Sequence, residues 1–280
     1  SNCVSEITQD GLSIMALQGG YIEIPRYEYS VNPLIPFSNK LDVFGNDKLE
    51  TAYWFYETGN GIKTEKIPTI NNMQQSLNQY INQNLPLCIS NFNEEFLINI
   101  FNNFNTKTQI TDSKVFVEVI SNFNVDFKGV NQKFENLKIT VDSDFGYLYS
   151  KAVELYNKEK QENYFEEKTI DYLVLYENIP YSGESFSCNP RVWSKQNIEK
   201  DIKQIIEINT DAIGKVNEKY YKINLGDSNL GTSFIYRKEW PFYMEINGGD
   251  EILKVESVYG KNNYAADFLT ALFCFNSYHF

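Results

Sequence analysis

The stretch Val115-Phe116-Val117-Glu118-Val119-Ile120-Ser121-Asn122-Phe123-Asn124-Val125-Asp126-Phe127 sets apolar residues on nearly every odd position and Glu118, Asn122, Asn124 and Asp126 on the even ones. Side chains of a strand point alternately to its two faces, so this spacing predicts a half-buried strand or hairpin. Asn136 to Val141 reads as its continuation in the same sheet. On the N-terminal side the period changes. Met73, Leu77, Ile81 and Leu85 recur every four residues behind Thr69, an N-cap residue, which predicts a helix whose apolar stripe is core. Pro86 is expected to bend or end that helix just before Cys88.

The same reasoning carries outward in both directions. Cys3 to Leu17 has loosely helical apolar spacing and meets a stop at Gly19-Gly20, while residues 21–65, with Pro25, Pro33 and Pro36, read as extended or looping chain. Phe145 to Tyr164 and Ile170 to Tyr176 read as helices, and Ser194 as the cap of another that carries Ile198, Ile202, Ile205 and Ile206. Short strands are expected near Tyr220–Leu225, Ser233–Tyr236, Phe242–Ile246 and Ile252–Val258. The fold class is therefore α+β, with antiparallel sheets and a few packed helices. Three regions follow: an N-terminal helix and aromatic, Pro-containing segment (1–65), an α+β region (66–178), and a loop, helix and short-strand region packed with it (179–280).

Four cysteines, Cys3, Cys88, Cys188 and Cys274, are spread too widely for a zinc knuckle or a dithiol redox motif. An even, dispersed set reads as two long-range disulfides and hence an extracytoplasmic location; four buried thiols acting as small apolar residues is the competing reading. Of the three possible pairings, Cys3–Cys88 with Cys188–Cys274 is expected, because the first couples the two N-terminal helices and the second ties the Pro-containing loop to the last strand.

Most familiar chemistry is missing from the sequence. The single histidine, His279, lies one residue from Phe280, and Gly183-Glu184-Ser185-Phe186-Ser187 lacks the second glycine of a nucleophile elbow. The pairs Asp142/Asp144 and Asp250/Glu251 could in principle bind a hard cation or cleave a glycoside, but acids beside glycine are ordinary turn residues. Trp54 and Trp240, each in an aromatic run, could stack a sugar, yet burial is the usual fate of such runs. No catalytic, cofactor or metal residue is expected. With 25 basic and 37 acidic residues the net charge is −12, which opposes binding to nucleic acid.

Cys3 with Ala16-Leu17-Gln18-Gly19-Gly20-Tyr21-Ile22, Tyr80-Ile81 through Cys88, Cys188-Asn189-Pro190 before Trp193, Trp240-Pro241-Phe242, and Cys274 before Tyr278 together resemble a group of archaeal surface proteins of uncharacterised function. That resemblance implies one transmembrane helix just upstream of the position of Cys3, about 20 apolar residues long, a large extracytoplasmic domain, and further strands beyond the position of Tyr278. It brings no catalytic residue. The expected function is a non-enzymatic, membrane-anchored cell-surface ectodomain for adhesion, surface assembly or envelope structure, with a protein or glycan partner. A carbohydrate-binding or carbohydrate-active domain and a pilus- or secretion-associated component are the alternatives.

Overall fold

The computed structural model describes residues 2–25, 38–45, 48–58, 61–90, 97–100, 104–127, 130–179, 192–213, 234–246, 252–254 and 269–272. In chain order the elements are α1 (Asn2–Leu17), β1 (Lys40–Asp42), β2 (Glu50–Ala52), β3 (Phe55–Glu57), β4 (Lys63–Glu65), α2 (Ile70–Ser90), β5 (Leu97–Ile100), β6 (Asn105–Ile110), β7 (Lys114–Phe127), β8 (Val130–Asp142), α3 (Phe145–Glu162), α4 (Tyr164–Leu173), β9 (Val192–Ser194), α5 (Lys195–Ile213), β10 (Tyr243–Ile246), β11 (Ile252–Lys254) and β12 (Leu269–Leu272). Among the described residues all strand pairs are antiparallel, and the architecture is α+β. Two compact units divide between Glu154 and Leu155, inside α3.

In the first unit β7 is the central strand. β8 lies along one side of it, from Lys114↔Asp142 to Phe127↔Val130, with a register shift between Ile120 and Phe123. β6 and β5 follow one another along the other side. Alternation then sorts the side chains by face. Val115, Val117, Val119, Ile110 and Val141 are buried against Val4, Ile7, Leu12 and Met15 of α1 and Met73, Leu77, Ile81 and Leu85 of α2. The opposite face carries exposed Phe116 and the Lys138–Glu118 ion pair at 3.1 Å.

Two polar positions on β6 are explained by α2. Thr106 Oγ1 donates to Asn82 Oδ1 (2.6 Å), Thr108 Oγ1 donates to the Gln74 carbonyl (3.2 Å), and Gln74 Oε1 accepts the Ile110 N–H (2.9 Å). Buried hydroxyls are tolerated where such partners exist. Gly11 has a different reason: a Cβ there would stand 2.7 Å from Leu77 Cδ1 and 3.0 Å from Tyr80 Cδ1, so its bare Cα lets α1 approach α2. Gly11→Ala gains about 1 kcal/mol of helix propensity but overpacks a filled core, which costs about 1–3 kcal/mol. Net destabilisation of roughly 1 kcal/mol in urea unfolding is expected; a stabilised variant would show that the crossing has slack.

The second unit has its own core. Ile198, Ile202, Ile205 and Ile206 of α5 bury against Ile179 and Trp193, with Tyr176, Phe234 and Phe242 around them. The Trp193 indole N–H donates to the Glu177 carbonyl at 3.3 Å, β9 pairs β11, and β10 pairs β12.

Several expectations need correction. Pro86 does not end α2, which runs on to Ser90; a proline in the last turn removes only one intrahelical bond, and Cys88 is fixed covalently two residues later. The helix read as Phe145–Tyr164 breaks at Asn163, whose φ of 48° is left-handed, and α4 occupies Tyr164–Leu173 rather than starting at Ile170. Phe234–Tyr236 is not in a strand. Tyr220–Leu225 lies outside the described residues.

Candidate functional site

Cys3 in the first turn of α1 and Cys88 in the last turn of α2 form a disulfide, with Sγ–Sγ 2.00 Å and Cα–Cα 5.9 Å. The helices run antiparallel, so the bond closes one end of the pair. Of the expected cysteine pairs, this one is present; Cys188 and Cys274 lie outside the described residues.

The other end of α1 is received by the segment 51–54. Gly19 and Gly20 have φ of 70° and 91°, and the Gly20 N–H returns to the Met15 carbonyl at 2.7 Å, a Schellman-type stop. Helix C-termini leave carbonyls without intrahelical donors. Here Thr51 Oγ1 donates to Leu17 O (2.8 Å), Ala52 N–H to Gln18 O (3.3 Å) and Trp54 Nε1–H to Gly19 O (2.9 Å). Trp54 is 1% exposed and meets Tyr149 edge-on at 6.1 Å. The Tyr149 hydroxyl donates to Pro68 O at 2.6 Å, and burial raises its phenol above the ordinary range. The indole is therefore committed to packing, and Trp193 and Trp240 are buried as well. None of the three tryptophans offers a sugar-stacking face.

Beside this junction is a cleft of about 600 Å³ lined by Gln18, Ile22, Glu23, Ile24, Pro25, Lys40 and Glu50. Lys40 Nζ pairs with Glu50 Oε1 at 2.5 Å across it. Its carboxylates, ammonium and carboxamide can hydrogen-bond a ligand, and Ile22, Ile24 and Pro25 add apolar contact; no nucleophile with an adjacent base is among the lining side chains.

Asp142 and Asp144 are both exposed. Asp142 stands 4.0 Å from Lys114, and the Asp144 carbonyl accepts the Leu148 N–H in the first turn of α3. The nearby Gly146 is required by packing, since a Cβ would fall 2.4 Å from the Thr111 carbonyl. Among the described residues no group of three or more His, Cys, Asp or Glu side chains could hold a metal ion. Asp142→Asn and Asp144→Asn are expected to change stability by no more than about 0.5 kcal/mol, as thermal unfolding will report. Asp250, Glu251, His279 and Gly183–Ser187 lie outside the described residues.

One acidic site escaped the sequence reading. Glu159, on α3, is only 8% exposed, and its carboxylate accepts the Phe165 N–H at 3.2 Å across the Asn163 corner. It also shares a hydrogen bond with Glu166 and accepts from Tyr164 N–H. Burial, then the hydrogen bond and negative charge of Glu166, push Glu159 up to about 8, while the two backbone N–H groups oppose the shift. The available signal was Glu166-Glu167, an acidic pair of the kind that opens a helix, beginning three residues after Asn163. Compared with known proteins, the chain matches no family model, no curated protein and no solved structure.

Proposed function

We propose that this chain is a non-enzymatic ectodomain of a cell-surface protein, anchored by an upstream helix and acting in adhesion, surface assembly or envelope structure. The observation that carries the reading is the Cys3–Cys88 disulfide, since such bonds persist in oxidising compartments and are rare in the cytosol. No helix among the described residues is long and apolar enough to cross a membrane, which is compatible with a domain held outside by a segment elsewhere. Trapping thiols with an alkylating reagent in intact source cells, followed by non-reducing peptide mapping, tests the compartment. The expected result is a Cys3–Cys88 peptide together with loss of the protein on protease shaving of intact cells; free thiols and resistance to shaving overturn the proposal.

A glycan-binding reading has one observation in its favour. α2 contains no charged residue in 21 positions, and its exposed face presents Asn72, Gln75, Gln79 and Gln83. Carboxamides offer donors and acceptors to hydroxyl groups. Retention on an immobilised neutral polysaccharide, lost in Gln75→Ala/Gln79→Ala, is the result that favours it over a protein partner.

A further inference from the structure

Glu159 and Glu166 bring two carboxyl groups together where α3 hands over to α4, on a corner made tight by the left-handed Asn163. Carboxyl groups in hydrogen-bond contact do not both ionise readily, because the second charge meets the first at close range. The arrangement is more than a helix cap. An ordinary capping carboxylate is ionised and wet, whereas Glu159 is nearly covered, and the residue it caps, Phe165, is itself buried with its ring edge-on to Phe234 at 4.7 Å. Whatever moves the Glu159 carboxyl therefore moves the first turn of α4 and the Phe165 ring, which meets Phe234 at the edge of the second unit's core.

We propose that the α3–α4 corner is a proton-operated latch. With one proton held between Glu159 and Glu166, the pair binds the first turn of α4 to the last turns of α3; loss of that proton to water leaves the buried Glu159 carboxylate beside the second negative charge of the exposed Glu166 and frees the turn. The groups facing Glu159 are the Glu166 carboxyl and the N–H groups of Tyr164 and Phe165 from α4, while the 234–242 segment contributes the Phe234 ring behind Phe165. On α3 itself Lys160 and Glu162 are exposed.

The direction of the pH effect follows from the raised value. In the unfolded chain Glu159 loses its proton near the ordinary 4.5, but in the folded chain near 8. The folded state thus binds more protons between these limits. The latch contributes fully below about pH 4.5 and is lost as pH rises through 8, the reverse of an ordinary ion-paired carboxylate.

The test is carboxyl ¹³C NMR of the glutamate-labelled chain from pH 4 to 9.5, with thermal unfolding of the same protein and of Glu159→Gln and Glu166→Gln. Expected are a Glu159 midpoint several pH units above that of exposed glutamates, and a wild-type unfolding temperature that falls from pH 5 to 9. Glu159→Gln, which keeps the shape of the protonated carboxyl, should flatten that fall. Exposed Glu166→Gln should fold normally and lower the Glu159 midpoint. An ordinary glutamate midpoint at position 159, or parallel pH profiles in wild type and Glu159→Gln, overturns the latch. If Glu159→Gln does not fold, the Glu166→Gln midpoint decides: unchanged, it overturns the proposal.

Discussion

Trp54→Ala is expected to destabilise the first unit by about 3–5 kcal/mol, the usual cost of emptying a buried tryptophan site. The upper part of that range applies because two losses coincide. The ring is 1% exposed and packs against Tyr149, so its removal leaves a cavity beside that ring, and the Gly19 carbonyl loses the indole N–H that satisfies it. A buried acceptor left without a partner costs about 1–3 kcal/mol. Trp54→Phe separates the two: it refills much of the space but cannot donate, and about 1–2 kcal/mol is expected. Chemical denaturation of both variants reads the difference. If Trp54→Ala unfolds within about 1 kcal/mol of wild type, the α1 terminus does not depend on this residue.

Breaking the Cys3–Cys88 bond is the second large effect. The bond spans 85 residues, and closing such a loop in the unfolded chain removes entropy worth about 4.5 kcal/mol in the chain-entropy model, with about 2–4 kcal/mol usually realised. The double variant Cys3→Ser/Cys88→Ser should lose that amount, and reductant should no longer affect it through this bond. Equal stability of oxidised wild type and the double variant would mean that residues 3–88 stay compact when unfolded.

What sequence reading recovered depended on how plainly apolar residues marked the period. The existence, stripe and start of α2 were visible from Met73, Leu77, Ile81 and Leu85, though not its end beyond Pro86, and its cap is real: Thr69 Oγ1 accepts the Asn72 N–H at 3.2 Å. β7 announced itself through Val115, Val117 and Val119, all buried. β6 did not, because its inward positions are Thr106, Thr108 and Ile110; the β-branched alternation was present, but two of the three residues look polar. The start of β8 at Val130 was also missed, since Asn131, Gln132 and Lys133 carry no apolar alternation and their place is fixed by pairing with β7. The Asn163 corner was marked only by the acidic pair Glu166-Glu167, and the burial of the Glu159 carboxyl was invisible for a related reason. Nothing local reveals that a charged residue in a long helical run will be covered by the next helix.

The position of the disulfide also decides how the chain carries load. Tension applied between the N-terminus and any point beyond Cys88 enters at residue 3 and crosses directly to residue 88 through a covalent bond. The 85-residue interval between them, including α1, the Trp54 junction and nearly all of α2, lies off that path. Unfolding it could otherwise add roughly 290 Å of extended chain, at about 3.4 Å per residue. With the bond intact that length is unavailable to a pull, so the molecule is a short, stiff tether at its N-terminal end in the oxidised form and a long, extensible one once reduced.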